Sequence, residues 1–275
     1  MNTQLPSTGR LAAVRIRLEL LQFMRERSAL VFTLAYPIGM FAIFATVFFG
    51  DVASNYGPEQ VTIDFATYFL PGMIATGLML TSFQQIAVDV ALERENGTLK
   101  RLRATPMPAS AFFLGKVGMI LTISVVQIAA LLALAKFQYG VDLPTSASAW
   151  GRFAWLFVLS VAGGTILGVA FSGLASSARS ASVIVSTFVL VLQFISGVFF
   201  PFFQLPGWMQ SVSSIFPLRW MALGMRSVFL PDGARYLETG DSWLTGLTAG
   251  ILAAWLLAGL VVGTRTFRWA RRDAG

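Results

Sequence analysis

The residues able to do chemistry are concentrated in one short stretch, Leu92-Glu-Arg-Glu-Asn-Gly-Thr-Leu-Lys-Arg-Leu-Arg-Ala-Thr-Pro106. Glu93 and Glu95 come first, Asn96-Gly97 makes a break, and Thr98 opens a short basic helix with Lys100, Arg101 and Arg103 that stops at Pro106. Carboxylates followed by a basic turn suit recognition of a soluble partner protein. The same pattern also suits an ordinary positive-inside loop that only sets topology. Catalysis is excluded more firmly. With no histidine and no cysteine, the chain has no Ser/His or Cys/His pair, no disulfide and none of the usual zinc ligands. It also lacks the Gly-x-x-x-x-Gly-Lys-Ser/Thr loop that cradles ATP phosphates.

The elements around this stretch are apolar. Of 275 residues, 56% are hydrophobic and 12% charged, with mean hydropathy +0.71; the charged fraction is about half that of soluble domains. Six runs lack Asp, Glu, Lys and Arg: 29–49 (with Pro37 as a kink), 65–88, 117–135, 153–178, 180–200 and 242–264. At about 1.5 Å per residue each spans a hydrocarbon core of about 30 Å. The expected fold is therefore an all-α polytopic membrane protein with six transmembrane helices and no ionisable side chain inside any of them. Residues 1–28 form a separate region, a polar tail followed by a helix from Arg10 to Arg27. There Arg15, Glu19, Gln22 and Glu26 make a polar stripe beside an apolar stripe of Leu11, Val14, Leu18 and Leu21. It reads as an amphipathic interfacial helix, or as a helix packed on a partner. The region has no cleavable apolar core, so no signal peptide is expected.

The net charge of +7 follows topology rather than nucleic acid. Fifteen of the 20 Lys and Arg lie before run one, after run two, after run four or in the C-terminal tail with Arg268, Arg271 and Arg272. The other five, Lys136, Arg152, Arg219, Arg226 and Arg235, lie on the opposite side. Both termini and the 92–106 loop are thus expected to be cytoplasmic. Outside, 50–64 and 136–151 are short loops. Residues 201–230 are too apolar for a free loop and are cut by Pro201, Pro206 and Pro217, so they read as two short helices re-entering the outer leaflet, with Trp208 and Trp220 at interface level. Asp89, at the end of run two, reads as a structural carboxylate beside Arg94, and Gln127 and Gln193 as interhelical hydrogen-bond formers. Gly164-x-x-x-Gly168, Gly246-x-x-x-Gly250 and Gly259-x-x-x-Gly263 read as intramolecular packing sites.

Three stretches in register resemble the membrane subunit of an ABC-2-type exporter, closest to permeases of the daunorubicin-resistance type. They are Phe69-Leu-Pro-Gly-Met-Ile74, the 92–106 segment, and Ser196-Gly-Val-Phe-Phe-Pro201 through Leu205-Pro-Gly-Trp208 to Phe216-Pro-Leu-Arg-Trp220. The resemblance implies a 29–275 transmembrane domain in a bacterial cytoplasmic membrane. It implies two separate ATPase subunits, which carry the ATP and magnesium, so that this chain binds no cofactor itself. It also implies a second permease, identical or paralogous. Glu93, Arg94, Glu95, Asn96, Gly97, Thr98, Leu99, Lys100, Arg101 and Leu102 would form the ATPase-coupling segment. Pro201, Pro206, Trp208 and Pro217 would form the outer gate hairpin. A small hydrophobic or amphipathic solute, a drug or lipid rather than a polymer given the short outer loops, would pass along helices one, two and five, with Phe41, Phe69 and Gln193 as candidate contacts. An ATP-independent channel or scramblase remains the alternative, ahead of a structural scaffold and of a membrane-embedded enzyme.

Overall fold

A computed structural model describes residues 7–56, 58–105 and 108–266 of the chain. Pro106 and the tail arginines Arg268, Arg271 and Arg272 lie outside them. Helix α1 (Thr8–Arg25) leads into α2 (Arg27–Val47). Helix α3 (Phe65–Met79) continues through a π turn at Leu80–Gln85 into α4 (Ile86–Glu95), followed by α5 (Thr98–Arg103). Then come α6 (Ala109–Tyr139), α7 (Ala147–Ser172), α8 (Ala178–Ile195), the short α9 (Gly207–Ser213) and α10 (Pro217–Phe229), and finally α11 (Thr245–Thr266). Six spans are long and apolar enough to cross a membrane: 30–47, 65–95, 110–139, 147–172, 178–195 and 245–265.

The structure corrects several expectations. The fold is not purely helical, because Asp51–Tyr56 (β1) and Val61–Asp64 (β2) pair as an antiparallel hairpin. The hairpin, which replaces the short loop expected over 50–64, buries Ala53 and Ile63. Spans two and three are longer than their uncharged cores and do contain ionisable residues, Asp89 and Glu93 in one and Lys116 in the other. At about 1.5 Å per residue, 31-residue helices run about 46 Å, well beyond a hydrocarbon core of about 30 Å, so their charged ends extend past it. Span five ends at Ile195 instead of residue 200, because Gly197 adopts φ +75°, a left-handed turn open to glycine.

Span two is the axis of the bundle, with most of its side chains buried. Helices α2 and α10 pack on α3, and α7 packs on α4 and the π turn. Two glycines of α7 allow that approach: a β-carbon at Gly164 would overlap the Ser82 hydroxyl, and one at Gly168 would lie 2.7 Å from the Phe83 carbonyl oxygen. Gly259 and Gly263 of α11 likewise lie against α7. Gly246 and Gly250 do not behave as packing sites, because they sit on an exposed stretch of α11 with nothing within 4 Å.

At the far end from α5, the apolar 201–230 stretch forms α9 and α10 after a 3-10 turn at Phe202–Gln204. Every residue of α10 is buried. Its 13 residues cover only about 20 Å, too short to cross a bilayer. Pro217 occupies its first turn, where a missing N–H costs nothing, and Pro201 and Pro206 precede the 3-10 turn and α9. Trp208 is exposed, but Trp220 is buried, its indole N–H donating to the Ser214 carbonyl at 2.7 Å, so it does not mark a surface level.

What seats α10 is charge. Glu238 accepts from Arg219 at 2.7 Å and from Arg226 at 2.8 Å, all three side chains being almost completely buried. Arg226 also donates to the Gly197 carbonyl and lies 4.4 Å over the Tyr68 ring, while Arg219 lies 3.6 Å over Phe202. One carboxylate thus ties α10 to the start of α3 and to the turn after α8. Burial alone would push the Glu238 carboxyl up, but the two guanidiniums outweigh it and hold it below the usual carboxylate range. A carboxyl so depressed contributes stability that is fully present above its unfolded pKa of about 4.3 and is lost as pH falls through the lower folded value. Glu238→Gln should therefore cost about 3–5 kcal/mol by stranding two buried cations. In thermal unfolding of detergent-solubilised protein, its deficit against the parent should be constant from pH 8 to pH 5 and shrink only below about pH 4.3.

Candidate coupling segment and helix groove

The charged loop is a rigid structure. Helix α4 ends at Glu95, and Gly97 takes φ +71°, the left-handed conformation that lets α5 start at once in a new direction. Leu99 is fully buried in the main core, and Leu102 packs against it. Arg94 donates to the Ala175 carbonyl at 2.7 Å, and Glu95 accepts from the backbone N–H of Ala178 at 2.8 Å. That places a carboxylate on the positive end of α8. Arg101 reaches the Asn96 carbonyl and the Thr98 hydroxyl at 3.4 Å. Asn96, Lys100, Arg101 and Arg103 remain exposed. The segment is thus held from behind by Arg94, Glu95 and Leu99, and presents a basic face.

Glu93 points the other way, into an ionic cluster that the sequence did not reveal. Lys116 of α6 reaches Glu19 of α1 and Glu93 of α4, each at 2.9 Å. Arg15 of α1 pairs with Glu19 at 2.5 Å and with Glu93 at 3.3 Å. Both cations lie over the Phe112 ring, at 5.4 and 5.8 Å. Helix α1 can come this close because Gly115 and Gly118 of α6 leave room for Arg15 and Ile16. Arg15 and Glu19 of the polar stripe therefore face the protein, while Val14, Leu18, Leu21 and Met24 face outward and Gln22 and Glu26 stay exposed. The clue was present in the sequence: Lys116, Arg15, Glu19 and Glu93 each needed a partner in an apolar chain, and only distance along the chain hid the pairing.

Helices α2, α8 and the π-turn region enclose a groove of about 480 Å³. Tyr36 donates to Gln193 at 2.8 Å across it, and Gln85 donates to Asp89 at 2.9 Å. Gln193 thus lies on the groove wall, bonded to Tyr36. Gln127, by contrast, serves structure, donating to the Thr33 carbonyl. Phe41 and Phe69 are almost fully buried and do not line the groove. They belong to an aromatic stack with Phe44, Phe48, Phe65 and Phe199, neighbouring centroids 5.0–6.5 Å apart. Beside it lies a second recess of about 420 Å³, bounded by Phe48, Phe49, Phe199, Phe200 and Pro201.

The arrangement joins an anchored basic helix, a long rod and an amphipathic groove. Two curated relatives, each named "Probable multidrug ABC transporter permease YbhR", one from Escherichia coli (strain K12) and one from Escherichia coli O157:H7, are 25% identical to the chain over 192 residues. Those residues make up 70% of this chain and 50% of each relative, so the chain spans about half the length of the curated relatives it matches. The model of the family described as ABC-2 type transporter matches residues 13–230. That range takes in the ionic cluster, the basic helix, the rod and α10 together, and on it the chain belongs to the ABC-2 type transporter family.

Proposed function

We propose that this chain is the permease subunit of an ATP-driven exporter, forming with a second permease the path for a hydrophobic or amphipathic solute, a drug or a lipid. Two separate ATPase subunits, each supplying ATP and magnesium, dock on the α5 face. The observation that carries this reading is the combination at the end of span two. A helix running unbroken from Phe65 to Glu95 terminates in a small helix that is anchored internally and exposes Lys100, Arg101 and Arg103. A loop that only set topology would need the charges but not the anchoring by Leu99, Arg94 and Glu95. The α5 end then lies in the cytoplasm of a bacterial cell, with α1 along the inner leaflet, its outward Val14, Leu18 and Leu21 in lipid. Helices α9 and α10 form the re-entrant outer hairpin.

ATP closure of the two ATPase subunits would press on α5. Glu95 and Arg94 pass the displacement to α8, Glu93 passes it to α1 and α6, and α4 passes it up the rod to the aromatic stack. Of the ten residues from Glu93 to Leu102, the exposed basic ones make the contact and the buried ones transmit it. Coupling requires that ATPase contacts differ between the inward- and outward-facing states.

Three outcomes test this. Protein extracted in mild detergent should carry a nucleotide-binding subunit in roughly equimolar amount; a stable, active chain that transports in ATPase-free liposomes would instead establish a channel or scramblase. Gly97→Val meets no neighbour, but it forces a β-branched residue into a left-handed conformation costing about 1–2 kcal/mol. The variant should insert normally while losing most solute-stimulated ATP hydrolysis, and full stimulation would refute the coupling role. Glu93→Gln should lower stability by about 1–3 kcal/mol, because Arg15 and Lys116 would then share the single carboxylate of Glu19. Adding Lys116→Met should recover part of that loss without restoring stimulated hydrolysis, because α1 and α6 would no longer be tied to α4.

A further inference from the structure

We infer that the groove between α2, the π turn and α8 selects a lipophilic organic cation, its charge seated against Asp89 and Glu26 and its apolar body against Tyr36, Phe32 and Leu190. This rests on the permease reading above and assigns its solute a charge.

The first observation is the sign of the lining. Both ionised side chains on the groove wall, Glu26 and Asp89, are acidic, although the chain as a whole carries +7. The buried cations nearest to Asp89 are already engaged. Lys116 lies in an adjoining recess that shares Glu26, Gln85 and Asp89 with the groove, but its ammonium sits between Glu19 and Glu93, as Arg15 does. At this corner Arg15 and Lys116 are matched by Glu19 and Glu93, which leaves Asp89 without an ion-pair partner among the described residues. Among the described residues, neither Glu26 nor Asp89 has a Lys or Arg nitrogen within 4 Å, and both open on the groove.

The second observation is the backbone. The π turn at Leu80–Gln85 breaks the α-helical register of span two opposite this groove, and Leu80, Gln84 and Gln85 all lie on its wall. Such turns hold a strained register and recur at functional sites. Here Thr81 and Ser82 return hydrogen bonds to Gly77 and Leu78, which supports the disturbed backbone. Gln85 then fixes one oxygen of Asp89 at 2.9 Å and leaves the other available.

The third is size and composition. A volume of about 480 Å³ falls within the range of drug-sized sites. Aromatic and aliphatic side chains together with a few polar groups fit an amphiphile rather than a hydrated ion. A half-buried carboxylate attracts a desolvated cation and repels an anion of the same shape, and that difference sets selectivity. Aromatic rings beside the carboxylates add cation–π attraction.

The test uses an isosteric pair of opposite charge, tetraphenylphosphonium and tetraphenylborate. Equilibrium binding is measured on the full chain alone in nanodiscs, with uptake by empty nanodiscs subtracted. The phosphonium should bind at least tenfold more tightly than the borate. Asp89→Asn should weaken phosphonium binding roughly tenfold, equivalent to about 1.4 kcal/mol, Glu26→Gln should weaken it less, and Asp89→Glu should keep it. Equal binding of the two ions by the parent chain would overturn the assignment. So would phosphonium binding unchanged in the Asp89→Asn, Glu26→Gln double variant. No ATPase is present, so the result is independent of the exporter reading. Cation-selective binding by a chain that never retains an ATPase would sink the exporter and keep the groove, and a coupled ATPase with no charge preference would do the reverse.

Discussion

A charge inside so apolar a chain must be paired, and that requirement fixes the architecture at both ends of the bundle. An isolated ion in a low-dielectric interior costs far more than any single packing contact returns. At one end Arg15, Glu19, Glu93 and Lys116 bring together α1, α4 and α6, and at the other Arg219, Arg226 and Glu238 bring α10 onto α3 and the Gly197 turn. Each cluster acts as a register pin. Apolar faces can slide by a turn and still bury area, whereas Lys116 can reach both carboxylates in only one alignment of α1, α4 and α6. The pairing is weak evidence for stability in itself, but it is strong evidence for one specific arrangement.

Between the two pins lies span two. A helix buried along most of its length moves as a body, because close-packed interiors do not deform smoothly. Its one irregularity is the π turn, and that is also where α7 comes closest, through Gly164 and Gly168. The disturbed register is therefore clamped on the α7 side and open on the groove side. Motion entering at α4 would be expected to emerge as a change in the groove wall, carried by Gln84, Gln85 and Asp89, before it reached the aromatic stack.

Much of this was legible in the sequence, and the failures have a common cause. Helical periodicity is blind to charge, so the six spans could be located by counting uncharged residues. The same rule cut them short at Asp89 and Lys116, where the helices in fact continue because the charges find partners far along the chain. The Asn96-Gly97 break and the basic helix after it were readable because they depend on local backbone preferences. The inward turn of Arg15 and Glu19 was not, since the α1 polar stripe shows the same spacing whether its residues face water or Lys116. Arg219 and Arg226 were counted simply as outward-side charges for the same reason. Their partner, Glu238, sits beyond α10 in a segment with no periodic signal. Phe41 and Phe69 were read as candidate solute contacts, but both are buried among other rings, and the groove wall falls to Tyr36, Gln193 and Asp89.

That distinction bears on how a solute would cross. Among the stacked rings, Phe44, Phe65 and Phe199 wall the outer recess, and none of Phe41, Phe44, Phe65, Phe69 and Phe199 lines the groove. Each ring contact contributes about 0.5–1.5 kcal/mol beyond its buried area, so separating the stack costs several kcal/mol, more than thermal fluctuation supplies often. A permanently open pore would gain nothing from such a closure. A driven exporter needs it, because without a barrier that opens only in the ATP-closed state the solute would flow back down its gradient. The rings come from α2, α3 and the turn after α8, two of which are gripped at the opposite end of the bundle by α4 and Glu95. Under the proposed cycle, then, the same displacement that alters the groove also loosens the stack, and access on one side is linked mechanically to closure on the other.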